Sequence, residues 1–258
     1  MRLNAGCHLL FEAIAPSPLI LMLRPRIDMG QNVLEETYQF KPPVPVVDYA
    51  DSYGNLCQRL VVPEGSFQVE TSVTVETSDT IDIHPGAAFV PIQELPENAL
   101  QFLLPSRYCQ SDLLDTFANE IVADLTSAYD QVETIRHWIY THIEYRYETS
   151  NASTSALETV KDRVGVCRDF VHLGVALCRS LTIPARMVVG YLYDLKPMDL
   201  HAWFEAFVGG RWYTFDATQP EPRGNRIVLA YGRDAADVAL ATQFGPLTLT
   251  EMGVWVKE

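Results

Sequence analysis

The pattern of apolar and polar positions changes character near residue 105. Before it, short apolar runs alternate with turn residues. Residues 8–13 and 19–23 read as two strands separated by Ala15-Pro16-Ser17-Pro18, and residues 69–77, rich in Val and Thr, alternate in part. Pro42-Pro43, Gly54-Asn55, Pro63-Glu64-Gly65 and Pro85-Gly86 punctuate the remainder. Short strands between such breaks predict an antiparallel β-sandwich. No catalytic grouping stands out in this half.

After Pro105 the spacing becomes helical. Leu113, Phe117, Ile121 and Leu125 recur every four residues, predicting a helix over 112–128. Ile135, Trp138, Ile139 and Ile143 predict a second over 131–143, with Asp130 as its N-cap. Residues 148–155 are polar and read as a loop. A third helix over 169–181 must stop before Pro184, because the residue preceding proline disfavours helix. A strand over 185–191 follows. Two more, 201–208 and 211–217, flank Gly209-Gly210, a strong hairpin signal. There are no internal repeats. The expectation is an α+β chain in two parts: a sandwich-like domain over 1–105, and a catalytic core over 106–258 with helices packed on an antiparallel sheet.

Composition narrows the partners. The chain has 258 residues, nearly half of them apolar, which is enough for a substantial core. Its net charge of −14 repels phosphate backbones and anionic lipid heads, so neither nucleic acid nor a membrane is the expected partner. Peptides and proteins remain. Five cysteines, at 7, 57, 109, 167 and 178, are dispersed without a C-x-x-C pair, which argues against a disulfide framework and a structural zinc site. No cofactor or metal is expected. A reducing, cytoplasmic compartment fits, and no apolar stretch approaches the roughly 20 residues that span a bilayer.

Cys167, in Gly165-Val166-Cys167-Arg168-Asp169-Phe170, falls at the start of the third helix. Unpaired backbone N–H groups and the helix dipole favour thiolate there, and the same N–H groups can stabilise a substrate oxyanion. A buried, inert thiol is the alternative, and it suits the other four cysteines better. Cys178 lies about 16 Å along the same helix among apolar neighbours. Cys7 and Cys57 have no nearby base, and Cys109 is a rival for which packing is the better account. Among the histidines, His172 lies about 140° around the helix from Cys167 and points elsewhere, as a helix-surface or supporting residue. His137 and His142 read as amphipathic-face residues, and His8 and His84 belong to the β half.

His201 is the base expected from geometry. A two-residue turn at Gly209-Gly210 sets Val208 opposite Arg211, hence Trp203 opposite Asp216 and His201 opposite Thr218. His201 and Asp216 then share a face as diagonal neighbours, about 7–8 Å apart backbone to backbone, so the carboxylate can accept the imidazole Nδ1–H. A three-residue loop would turn Asp216 to the wrong face.

Read in order, these residues resemble the transglutaminase-like superfamily, in particular bacterial transglutaminase-like cysteine proteases with an N-terminal β region. The matching blocks are Gly165 to Phe170, Leu181-Thr182-Ile183-Pro184-Ala185-Arg186, Gly190-Tyr191, His201-Ala202-Trp203-Phe204-Glu205, and Gly210 to Thr218. Leu23-Arg24-Pro25-Arg26 and Asp51-Ser52-Tyr53-Gly54-Asn55 extend the likeness into the β half. The resemblance implies a papain-like core in which Cys167, His201 and Asp216 serve as nucleophile, base and orienting acid. Thr182 and Ala217 stand where the family commonly has Gly and Pro. Tyr145 and Tyr147 are candidates for the second oxyanion donor. The implied activity is acyl transfer from peptide or carboxamide bonds through a thioester. Hydrolysis is favoured because no calcium-binding loop is recognisable. The alternatives are a protein-glutamine transglutaminase or a catalytically inactive binding module; a metal enzyme is disfavoured by the spacing of Cys167, His172 and His201.

Overall fold

The computed structural model describes residues 1–27 and 30–258. The N-terminal half supplies β1 (Arg2–Ala13), β2 (Ser17–Leu21), β3 (Asn32–Lys41), β4 (Val47–Ala50), β5 (Leu56–Val62) and β6 (Gly65–Glu76). Alternation is clearest in β6, where Phe67, Val69, Thr71, Val73 and Val75 are buried and the residues between them are not. One face is covered and the other meets water, as expected for an antiparallel sheet.

A short helix, α1 (Glu97–Leu100), leads to α2 (Asp115–Val122) and α3 (Ala128–His142). The helix expected over 112–128 therefore ends early. Ala123 takes a positive φ of 46°, and Leu125, assigned by periodicity to the buried stripe, is 40% exposed. The cap of α3 is Ser127 rather than Asp130: its hydroxyl accepts the Asp130 backbone N–H at 3.3 Å. A serine one turn earlier offers the same acceptor.

Next come β7 (Glu144–Tyr145), α4 (Ala156–Asp162), β8 (Val164–Gly165) and α5 (Cys167–Ser180). Then β9 (Ala185–Leu192), β10 (His201–Val208), β11 (Arg211–Phe215) and β12 (Arg226–Gly232) form one antiparallel sheet in the order β11-β10-β9-β12. Every residue of β9 and β10 is buried, because both faces of this sheet are covered. Ala202, Phe204 and Ala206 pack with α5, where Gly174 allows close approach: a Cβ there would come within 2.7 Å of the Phe204 ring.

The chain finishes with β13 (Ala241–Gln243) and β14 (Leu247–Lys257), which pair with β2 and β1. The two N-terminal sheets thus run β14-β1-β6-β3 and β13-β2-β5-β4. A division at residue 105 assigns these last strands to the second half; their pairing partners are in the sandwich. The long β1 would otherwise present an open edge, and β14 covers it. The mixed α+β architecture, strands first and a helix-on-sheet core after, is the one expected. No helix among the described residues is long and apolar enough to cross a membrane.

Candidate active site

Cys167 is the first residue of α5. The approach to it is fixed by Asp169, a fully buried carboxylate that reaches back to accept the Val166 N–H at 2.9 Å and pairs with Arg168 at 3.3 Å. Gly165 makes room for that bend: a Cβ there would lie 2.7 Å from Asp169 Cβ. Asp169 had no assigned role in the sequence, although a carboxylate at the third helical position is the usual partner of a helix-start N–H.

All five cysteines are free, and Cys167 is the one with partial exposure. Burial pushes the thiols of Cys7, Cys57, Cys109 and Cys178 up, Cys109 to about 12. Cys109 is fully buried, and a buried thiol held protonated is a poor nucleophile. His172 does point away from Cys167, but it is not a surface residue. It is fully buried, stacked on Tyr108 at 4.9 Å, and its Nε2 accepts the Ala235 N–H at 3.2 Å. Burial drives it well below its ordinary pKa, so it stays neutral.

The hairpin has the predicted register. Gly209 and Gly210 both take positive φ, Val208 lies opposite Arg211, and Phe204 lies opposite Phe215. The ladder ends there. Asp216 then folds into an Asx turn, its Oδ1 accepting the Thr218 N–H at 3.0 Å and the Thr218 hydroxyl at 2.7 Å. Its Oδ2 meets His201 at 2.8 Å, with both residues buried. The contact is made by Nε2 and not by the expected Nδ1. The diagonal between the strands is long, and Nε2 is the ring nitrogen that reaches farther from the backbone. Nδ1 is left free of Asp216, and Cys167 is near enough to the ring to favour its protonated form.

A second cation was not foreseen. Arg226, buried at the start of β12, donates from Nη2 to the same Oδ2 at 2.9 Å. Asp216 therefore accepts from four donors and has no lone pair left for a proton. Burial would raise its pKa, but His201 and Arg226 hold it far below the ordinary carboxylate range. Burial likewise pulls His201 down, yet the charge of Asp216, the hydrogen bond to it and the Cys167 thiol raise it from 6.5 to about 9.

Tyr145 sits in β7 opposite Gly165, with the parallel pairing extended by Arg146 N–H to Gly165 O at 3.0 Å. Its hydroxyl faces the backbone N–H of Cys167 and the Tyr147 hydroxyl. With His201, Pro197, Thr218 and Gln219 the two tyrosines line a cleft of about 140 Å³. A larger cavity, about 500 Å³, runs along the sheet face that carries Trp203 and Glu205. No histidine lines it, whereas His201 lines the smaller cleft, which is therefore the candidate site. Among the described residues no group of three or more His, Cys, Asp or Glu side chains is arranged to hold a metal ion.

Comparisons with known proteins bear on the family and the fold. The family model for the transglutaminase-like superfamily matches residues 115–217. The chain is 37% identical to a crystal structure of a candidate cysteine protease from Cytophaga hutchinsonii, covering 100% of this chain and 90% of that one at a TM-score of 0.94. It is 27% identical over 233 residues to an uncharacterized protein of Mycobacterium leprae (strain TN), covering 84% of this chain and 82% of the relative. An uncharacterized protein of Mycobacterium bovis is 26% identical over 247 residues, covering 84% and 77%.

Proposed function

The chain belongs to the transglutaminase-like superfamily, and from that and its cleft we propose a cysteine-nucleophile acyl-transfer enzyme that cleaves peptide or carboxamide bonds by hydrolysis. One observation carries the reading. The His201 ring is bonded to the carboxylate of Asp216, whose acceptor positions are all filled, and interacts with Cys167, the thiol that is partly exposed.

In this mechanism Cys167 and His201 rest as a thiolate–imidazolium pair. The thiolate attacks the substrate carbonyl, and the charge forming on its oxygen is met by the Cys167 N–H and the Tyr145 hydroxyl. His201 donates its Nδ1 proton to the departing amine, the C–N bond breaks, and a thioester remains on Cys167. Water then attacks the thioester while Nδ1 takes its proton, releasing the acid and restoring the pair. Asp216 holds the ring and its positive charge throughout and takes no proton. Transfer of the acyl group to an amine in place of water uses the same residues, so a transglutaminase is the second outcome of the test. Cytoplasmic location belongs to the reading, supported by five free cysteines.

The test is capture of the thioester by mass spectrometry with a peptide and amide library, with and without added amine. Wild type should carry an adduct on Cys167, lost in Cys167→Ala while the fold persists. An adduct on Cys109 overturns the assignment. Iodoacetamide labelling of Cys167 no faster than a free thiol favours an inactive binding module.

A further inference from the structure

We propose that Arg226 is a positioning residue that limits how tightly Asp216 binds the His201 proton, a role resting on the function proposed above. The two cations share one oxygen: His201 Nε2 and Arg226 Nη2 approach Asp216 Oδ2 at 2.8 and 2.9 Å. Arg226 cannot drift from this position. Its Nε donates to the Arg223 carbonyl at 2.9 Å, and its guanidinium lies over the Trp203 ring at 4.8 Å. Trp203 is itself fixed two residues along β10 from His201, with the rings 6.2 Å apart. The fit serves Asp216 and not the arginine, whose Nη1 is buried without a hydrogen-bond partner.

The consequence is electrostatic. A buried carboxylate facing only an imidazolium would hold its proton strongly, and a proton held too strongly is not delivered to the leaving amine. A second cation on the same oxygen withdraws part of that attraction and repels the imidazolium directly. A lysine could supply the charge, but it could not also reach the Arg223 carbonyl and stack flat on Trp203. The other groups facing His201 are Cys167 from α5, the Thr218 hydroxyl, and Asp199 from the loop before β10. Arg226 in turn faces Arg223 and Glu205 besides Asp216. Only Arg226 both touches Asp216 and carries a positive charge of its own at all working pH.

The test is the titration of the His201 ring, followed by NMR on histidine-labelled protein. In Arg226→Met the midpoint should move up by about one pH unit, the size expected for removing a charge at this range. Arg226→Lys should hold it near the wild-type value. The pH step in the iodoacetamide rate of Cys167 should move with it. A folded Arg226→Met with an unmoved midpoint overturns the inference, because an arginine that only supports the fold lowers the melting temperature and leaves the titration alone. Should the variant not fold, wild type decides: the Arg226 guanidinium resonances should titrate together with the His201 ring, and their staying fixed across that transition overturns it. Failure of the function itself looks different, as wild-type Cys167 would then react like a free thiol with no step at all.

Discussion

The sandwich and the β11-β10-β9-β12 sheet are both antiparallel, yet they bury different things. In β6 every second residue from Phe67 to Val75 points inward, all of them apolar but Thr71, and the residues between are more exposed. In β9 and β10 both faces are covered, and the buried set includes Arg186, His201 and Glu205, with Asp216 and Arg226 beside them. Buried charges under two layers survive when they face an opposite charge, and here they do, although Arg226 Nη1 has no hydrogen-bond partner: Arg186 bonds Glu205 at 2.8 Å, and Asp216 takes four donors. The sandwich is held by area, the β11-β10-β9-β12 sheet by area plus a set of opposed charges. The same size of substitution should therefore fail in different ways in the two places.

The largest effect belongs to Asp216→Asn. The amide cannot balance Arg226, which leaves a buried cation unpaired at about 3–5 kcal/mol, and it cannot hold an imidazolium, so thioester formation should fall about 10³-fold. Wild type should also show a pH signature that the variant lacks. The folded pKa of His201 lies above its ordinary value, so its stabilisation is full below 6.5 and is lost as pH rises through about 9. Denaturant unfolding from pH 6 to 10 checks both. Equal pH slopes in the two proteins would mean the pair contributes nothing. Next comes Phe67→Ala in the sandwich. Phe67 is fully buried and stacked on Phe40 at 6.2 Å, so the variant should lose about 3–5 kcal/mol. Its folded fraction should label Cys167 at the wild-type rate. A slowed rate would show that the two regions are coupled.

How far each region could be read from the sequence follows from the same contrast. Alternation is visible only where one face is wet, so β1 and β6 were recognisable from residues 8–13 and 69–77, though each runs further. The hairpin register was legible because two glycines permit one kind of turn. That register alone brings His201 and Asp216 together. Arg226 was not legible: it reaches Asp216 from β12, which adjoins β9 and not β11, and no local spacing encodes a contact across that distance. The choice of Nε2 was likewise a matter of side-chain reach. Leu125 misled because a four-residue repeat continued past the point where the backbone had turned at Ala123.

Smaller effects sharpen the contrast within the site. In the proposed mechanism, Tyr145→Phe removes a hydroxyl that meets charge only once the carbonyl has been attacked. Acylation by an activated ester should slow about 10- to 100-fold, with little change in stability because the side chain is 41% exposed. Alkylation of Cys167 by iodoacetamide forms no oxyanion and should proceed at the wild-type rate. If both reactions slow equally, Tyr145 orients the thiol instead.

The smallest effect concerns Thr182, where the resemblance led to an expected glycine. Thr182 follows the Leu181 cap of α5 and takes φ of +58°, the left-handed conformation that ends many helices. A β-branched residue is poorly suited to it, because the branched side chain crowds the backbone. The threonine offsets part of that with a hydroxyl bond to the Leu181 carbonyl at 2.7 Å, but the site is exposed and water can replace the bond. Thr182→Gly should therefore stabilise the protein by about 1 kcal/mol, strain relief outweighing the added freedom of the unfolded chain. Thermal unfolding measures the sign directly. Because α5 ends at Ser180 while Cys167 begins it, the labelling rate of Cys167 should not change. A loss of stability would mean that the hydroxyl bond, not the backbone conformation, decides this corner.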